Sequence, residues 1–206
     1  MKRSVTVIDS GICNLGSITC ALRRVGAEVE VTSEPDALNR AQKLILPGVG
    51  SFPAAMEALE GRGLVPALKA FVASGRPLLG ICLGMQLLLE EGEEFGLTQG
   101  LSLIPGRVRM FRAGNLRVPH MGWNQVAGKR PDPLLEGIDG RYFYFVHSYL
   151  CQPSDPQDVL AVTEYGETFA SVVRRRNVWG IQPHPEKSQQ AGQKLLSNFL
   201  ELCPLP

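Results

Sequence analysis

The chain has 206 residues, of which 44% are hydrophobic and 20% charged. That is enough apolar sequence to build a core without disulfide or metal staples, and it excludes a disordered chain. Lys plus Arg is 21 and Asp plus Glu is 20, so no general field draws the chain to nucleic acid or to an anionic membrane.

In chain order, Val5-Thr6-Val7-Ile8 predicts a strand ending in the turn cluster Asp9-Ser10-Gly11. A helix is expected over 17–25, with Ser17 as N-cap and Gly26 as stop. Strands follow over 29–32 and 43–46, the second closed by Pro47-Gly48. A helical region over 53–72 is broken near Gly61-Arg62-Gly63 and Pro66. A strand over 78–81 runs directly into a helix over 83–90. This alternation predicts βαβ units and a parallel sheet with helices on both faces. The second half reads as successive strands over 107–111, 117–125, 142–150, 159–165, 169–174 and 178–182, with turn signals at Gly166 and Asn177. An amphipathic helix over 189–202 closes the chain. The expected fold is α/β: one domain spanning 1–206, with a mixed, mostly parallel central sheet flanked by helices.

The opening MKRSVTVIDSG carries basic residues but no apolar h-region, so it reads as a poor secretory signal. The apolar run over 78–89 is shorter than the roughly 20 residues of a membrane span. The 5 cysteines, Cys13, Cys20, Cys82, Cys151 and Cys203, are odd in number and irregularly spaced, with no C-x-x-C pair. Zinc-ribbon and dithiol redox readings have nothing to rest on, and a reducing, cytoplasmic setting is expected. No metal-ligand spacing and no Gly-rich phosphate loop occur, so neither metal nor cofactor is expected.

Gly80-Ile81-Cys82-Leu83-Gly84 sits between a predicted strand and a predicted helix. A nucleophile on such a turn needs small residues two positions either side, because larger ones would collide. The turn lifts the side chain out at the C-terminal ends of the strands, beside a helix N-terminus that favours an anion. A lone cysteine in an apolar run is most often a buried structural thiol. The two flanking glycines favour the nucleophile. Such a sulfur needs a base and the base an orienter. Among the 3 histidines, His184 lies in Pro183-His184-Pro185-Glu186, which the prolines hold extended. Residues two apart then point the same way, so Glu186 can reach the His184 ring. Alone, this segment reads equally well as a solvated surface turn. An oxyanion hole would take one donor from the Leu83 backbone N–H and a second from Pro47-Gly48-Val49-Gly50.

Gly80 to Gly84 with Met85-Gln86, together with Pro183-His184-Pro185-Glu186, resembles the class I (triad) glutamine amidotransferases, whose fold is flavodoxin-like. Pro47-Gly48-Val49-Gly50-Ser51-Phe52, Pro119-His120-Met121-Gly122-Trp123-Asn124 and Phe145-Val146-His147-Ser148-Tyr149 look like the subfamily that supplies ammonia within imidazole glycerol phosphate synthases. The resemblance implies a Cys82–His184–Glu186 triad that hydrolyses L-glutamine through a glutamyl thioester. It implies Val49 as an oxyanion donor that must be correctly turned, and Gly50, Gln86, Glu94, Ser148 and Tyr149 as substrate contacts. It also implies Met121, Trp123 and Asn124 at a docking face for a (β/α)8-barrel cyclase, the two forming a heterodimer of histidine biosynthesis. Without the family, Trp123 could as well be core. Cys13 stands where the family pattern has glycine, which puts that local turn in doubt. Arg174-Arg175-Arg176 reads mainly as a solvated hairpin tip. The alternatives are the glutaminase subunit of another amidotransferase, or a stand-alone thiol hydrolase.

Overall fold

The computed structural model describes residues 3–112 and 114–203; residues 1, 2, 113 and 204–206 of the expected 1–206 domain, Lys2 of the opening segment among them, lie outside the described residues. The first half is built from β1 (Ser4–Ile8), α1 (Leu15–Arg24), β2 (Glu28–Thr32), α2 (Pro35–Leu38), β3 (Leu44–Gly48), α3 (Phe52–Gly61), α4 (Leu64–Ala73), β4 (Leu78–Cys82) and α5 (Leu83–Gln86). The second half adds β5 (Glu91–Gly92), β6 (Thr98–Gln99), β7 (Gly106–Met110), β8 (His120–Gln125), β9 (Ala127–Gly128), β10 (Tyr142–His147), β11 (Tyr149–Pro153), β12 (Val159–Tyr165), β13 (Glu167–Arg175), β14 (Val178–Ile181) and α6 (Gln189–Glu201).

The central sheet runs β2-β1-β3-β4-β14-β13-β11-β7-β5-β6, with β12 and β9 branching from β13. Its first five strands are parallel and follow the doubly wound order, with the fifth place taken by β14 near the end of the chain. Beyond β14 the pairings with β13, β11 and β7 are antiparallel. Alternating side chains feed two cores. Val5, Val7, Leu79 and Ile81 pack with Leu22 of α1 and Leu195 and Phe199 of α6 on one face. Ile8, Leu44, Leu46 and Leu78 pack with Leu59, Leu68 and Phe71 of α3 and α4 on the other. This two-sided burial explains why β3 and β4 read as apolar runs, whereas the edge strand β2, largely exposed, alternates.

Several expected boundaries move. The first helix starts at Leu15, not Ser17. Its N-cap is Asn14, whose side chain accepts from the Ser17 backbone N–H at 3.3 Å. Pro66 does not break the 53–72 region: it occupies the first turn of α4, where no intrahelical donor is required of it. Gly61 to Gly63 do form the break, with Gly63 left-handed at φ +66°. The helix expected over 83–90 closes after a single turn, because the carbonyls of Leu87, Leu88 and Leu89 accept from residues 101–104 instead of continuing it. The strand expected over 142–150 divides at Ser148 into β10 and β11. The sheet is also not one: β10 and β8 form a separate two-stranded antiparallel ribbon, in which His147 pairs with His120.

Candidate active site

β4 delivers Cys82 to the carboxyl edge of the parallel strands, and Cys82 turns the chain with φ +55°, ψ −114°. A non-glycine residue there carries backbone strain that surrounding structure must enforce. The enforcing contact is close packing of α5 on β3 and β4. A Cβ on Gly84 would lie 1.8 Å from the Leu46 carbonyl oxygen, and one on Gly80 would lie 2.5 Å from the Gly84 oxygen. Both glycines of the motif are therefore sterically required, and their requirement fixes where the sulfur points.

His184 and Glu186 arrive on the segment after β14, which is not extended as expected: Pro185–Lys187 form a 3₁₀ turn, closed by the Lys187 N–H donating to the His184 carbonyl at 3.1 Å. The His184 backbone N–H donates to the Tyr144 carbonyl at 2.9 Å, which ties the segment to β10. Ser188 clamps it further: its hydroxyl donates to the His184 carbonyl at 2.6 Å and accepts from the Tyr144 N–H at 3.0 Å. Glu186 Oε1 lies 2.7 Å from His184 Nδ1, with both side chains buried. Burial pushes the imidazole down. Hydrogen bonding to the Cys82 sulfur and the Glu186 carboxylate, with the charges of both, outweighs this and holds His184 above its ordinary value. The imidazole thus carries Glu186 on its Nδ1 side and lines the same cleft as Cys82. Glu186 Oε2 is buried with no hydrogen-bond partner among the described residues.

A cleft of about 340 Å³ opens over Cys82 and His184 and is lined also by Val49, Gly50, Leu83, Gln86, Glu94, Ser148 and Tyr149. The expected substrate-contact residues therefore meet at one place. Gln86 is buried, its Nε2 donating to the Tyr149 carbonyl at 3.0 Å and to Gln182 Oε1 at 3.1 Å. Glu94 Oε2 accepts from the Phe52 backbone N–H at 2.7 Å, capping α3 from across the cleft. The Leu83 N–H opens α5, where helix geometry gives it no intrahelical acceptor. Val49 differs: its N–H donates to the Ile12 carbonyl at 3.2 Å, so the second oxyanion donor is already engaged.

Sequence reasoning missed Gln182. It is fully buried, and its Nε2 lies 3.8 Å from the Cys82 sulfur. It follows β14 directly and is held there by its backbone N–H, which donates to the Ser171 carbonyl at 2.9 Å. Met121 is 61% and Trp123 48% exposed, so Trp123 is not a core residue; Asn124 beside them is half-buried. Of the Arg174–Arg176 cluster, Arg176 is exposed at the β13–β14 turn as expected, but Arg174 and Arg175 are engaged by partners. Arg174 pairs with buried Asp132 at 2.7 Å and stacks over Trp179, and Arg175 pairs with Asp158 at 2.8 Å. Cys13 holds its turn without left-handed backbone, which falls on Gly11 instead. All five cysteines are free thiols. Among the described residues no cluster of His, Cys, Asp and Glu could hold a metal ion, and no helix is long and apolar enough to cross a membrane.

The model of the family "Glutamine amidotransferase class-I" matches residues 6–203. The chain belongs to the class-I glutamine amidotransferases. Within that family it groups with the HisH subunits of imidazole glycerol phosphate synthase. The subunit so named from Syntrophotalea carbinolica is 48% identical over 95% of this chain and 98% of its own length. The one from Moorella thermoacetica is 49% identical over 97% and 95% of the two chains. Likeness in solved structures extends to the fold alone. A chain of the PurLQS structure from Thermotoga maritima superposes with TM-score 0.78 at 19% identity, covering 99% of this chain and 100% of its own. A crystal structure titled glutamine amidotransferase gives TM-score 0.77 at 21% identity, covering 97% and 98%. The amidotransferase is thus an enzyme of this class, and its G-x-C-x-G turn and P-H-P-E segment fall inside the matched region.

Proposed function

We propose that this amidotransferase hydrolyses L-glutamine to glutamate and ammonia and passes the ammonia to a synthase partner. The observation that carries the mechanism is Cys82 and His184 lining one cleft, with Glu186 Oε1 2.7 Å from His184 Nδ1 behind them. Cys82 Sγ attacks the γ-carboxamide carbon. The negative charge on the former carbonyl oxygen is met by the Leu83 N–H and by a turned Val49 N–H. His184 takes the Cys82 thiol proton as the sulfur attacks and, its charge steadied by Glu186, gives that proton to the departing ammonia. It then takes a proton from water, which attacks the glutamyl thioester and releases glutamate and the thiol. Gln86, Glu94 and the Ser148–Tyr149 backbone hold the amino-acid end of the substrate, with Gly50 closing the other side. No cofactor is called for.

The engaged Val49 N–H supports a second part of the reading, a gate. Releasing one hydrogen bond to Ile12 costs about 1 kcal/mol, so a modest push from outside can turn the Val49–Gly50 peptide. Gly50, at φ +92°, is the residue able to take the backbone change on either side of the map. The push is assigned to a (β/α)8-barrel cyclase that forms a heterodimer through Met121, Trp123 and Asn124, next to Pro119 at the cleft mouth. Free thiols fit a reducing compartment, so the chain is placed in the cytoplasm, folded as one amidotransferase domain over 1–206.

An electrophilic glutamine analogue carrying a diazoketone tests the chemistry. Peptide mass mapping is expected to find the label on Cys82, faster in the presence of partner and its ligand. Labelling spread over the other cysteines would refute the nucleophile, and equal rates with and without the loaded partner would refute the gate.

A further inference from the structure

The two histidines that the triad does not use lie against the site. His120 and His147 face each other across the β8–β10 ribbon, both buried, with His120 Nδ1 at 3.2 Å from His147 Nε2. His147 Nδ1 lies 2.8 Å from the Tyr149 carbonyl oxygen, and Asn124 Nδ2 lies 3.4 Å from His120 Nε2. The chemistry of these atoms fixes every proton. A carbonyl only accepts, so His147 Nδ1 carries hydrogen and its Nε2 accepts. His120 Nδ1 must then donate, which leaves His120 Nε2 to accept from the Asn124 amide. Burial pushes both imidazoles well down, to about 4 for His120 and about 3 for His147, consistent with neutral rings. Phe145 and Tyr165 stack on the two faces of His120, at 4.9 and 4.0 Å, and hold its plane.

The chain of bonds does not stop at Tyr149. The same carbonyl accepts from Gln86 Nε2, whose other N–H goes to Gln182 Oε1, and Gln182 Nε2 faces the Cys82 sulfur. Both Gln86 donors are therefore spent, and its Oε1 is the atom left to the cleft. We propose that His120 and His147 are positioning residues: a one-way relay, Asn124 to His120 to His147 to the Tyr149 carbonyl, that fixes the Gln86 amide for glutamine binding. This rests on the glutaminase reading above. It gives the His147 side chain a polar task in a pocket otherwise walled by Phe111, Phe145 and Phe169.

Two measurements on the assembled, ligand-loaded complex test it. With 15N-histidine label in this chain, both His120 and His147 are expected as neutral Nδ1–H tautomers at neutral pH. An Nε2–H tautomer or a charged ring at either position would overturn the relay, whatever the enzyme does. In kinetics, His147→Leu is expected to raise the KM for glutamine roughly tenfold with kcat changed far less, the weight of one lost hydrogen bond. His147→Asn keeps an N–H near the Nδ1 position and is expected to recover most of that loss. A role in packing alone reverses the order, because leucine suits the aromatic pocket better than asparagine; Leu equal to or better than Asn would overturn the proposal. Absence of glutaminase activity in the unaltered complex would instead refute the glutaminase reading and leave the tautomer result standing.

Discussion

Gly84→Ala puts the geometry of the nucleophile turn to a quantitative test. The new Cβ would sit 1.8 Å from the Leu46 carbonyl oxygen and 2.9 Å from its carbon. Both are backbone atoms of a central strand, so no rotamer change relieves the contact. Either α5 lifts off β3 by more than an ångström or β3 bends. Overpacking of this kind costs about 1–3 kcal/mol, and at about 2–4 °C per kcal/mol for a chain of this size the melting temperature falls by roughly 2–12 °C. The catalytic loss is larger, because α5 carries Leu83 and Gln86 and its first turn sets the Cys82 backbone. A displacement near 1 Å costs about 10²-fold in rate. Gly61→Ala is the control: a Cβ there meets nothing within 4 Å. Thermal unfolding and kcat/KM for glutamine, measured with the partner present, read both effects. A Gly84→Ala chain with unchanged melting and turnover would refute the claim that close helix–strand packing sets the nucleophile.

Further outcomes are expected at other sites. Glu186→Gln removes a charge that holds the His184 proton; turnover is expected to fall by about 10⁴-fold, as for amide replacement of an orienting carboxylate in a triad, and the pH profile is expected to shift to lower pH. The sign for stability follows: a histidine raised above its ordinary 6.5 stabilises the fold fully below that pH and loses the contribution as pH rises through the folded value. Alkaline unfolding scans of the unaltered chain are expected to show this loss, and Glu186→Gln to reduce it. Asp132→Ala leaves the Arg174 guanidinium, the Leu134 N–H and the Trp179 indole N–H without their shared acceptor. About 2–4 kcal/mol of stability is expected to go, read as a melting drop of roughly 4–16 °C, with turnover per folded molecule unchanged.

Much of the site was legible because its chemistry is local. Gly80 and Gly84 signal a tight turn by absence of a side chain, and His184 and Glu186 stand close enough in sequence to pair, although a 3₁₀ turn and not extended backbone brings them together. The central parallel strands β3 and β4 were legible because they are buried on both faces, and the exposed edge strand β2 because it alternates. What failed depends on distant partners. The apolar run 83–90 has the residues of a helix, and only the bonds from residues 101–104 to its carbonyls stop it after one turn. Ser17 and Asn14 are both acceptable caps, and choosing between them needs the turn after β1. The break at Ser148 serves the two-stranded ribbon with β8, and no periodicity in 142–150 announces it. The Arg174 and Arg175 pairs depend on Asp132 and Asp158, separated from them by long stretches of chain. Gln182 likewise takes its place from distant partners, the Ser171 carbonyl on its backbone and Gln86 on its side chain.

Ammonia supply is the central claim, and the complex of this chain with its partner tests it most directly. Cys82→Ala should abolish product formation from glutamine while leaving product formation from added ammonium salts at its original rate. Glutamine-dependent turnover surviving the substitution would contradict Cys82 as nucleophile. Loss of both activities would contradict the division of labour, because Cys82 would then be needed for the assembly itself.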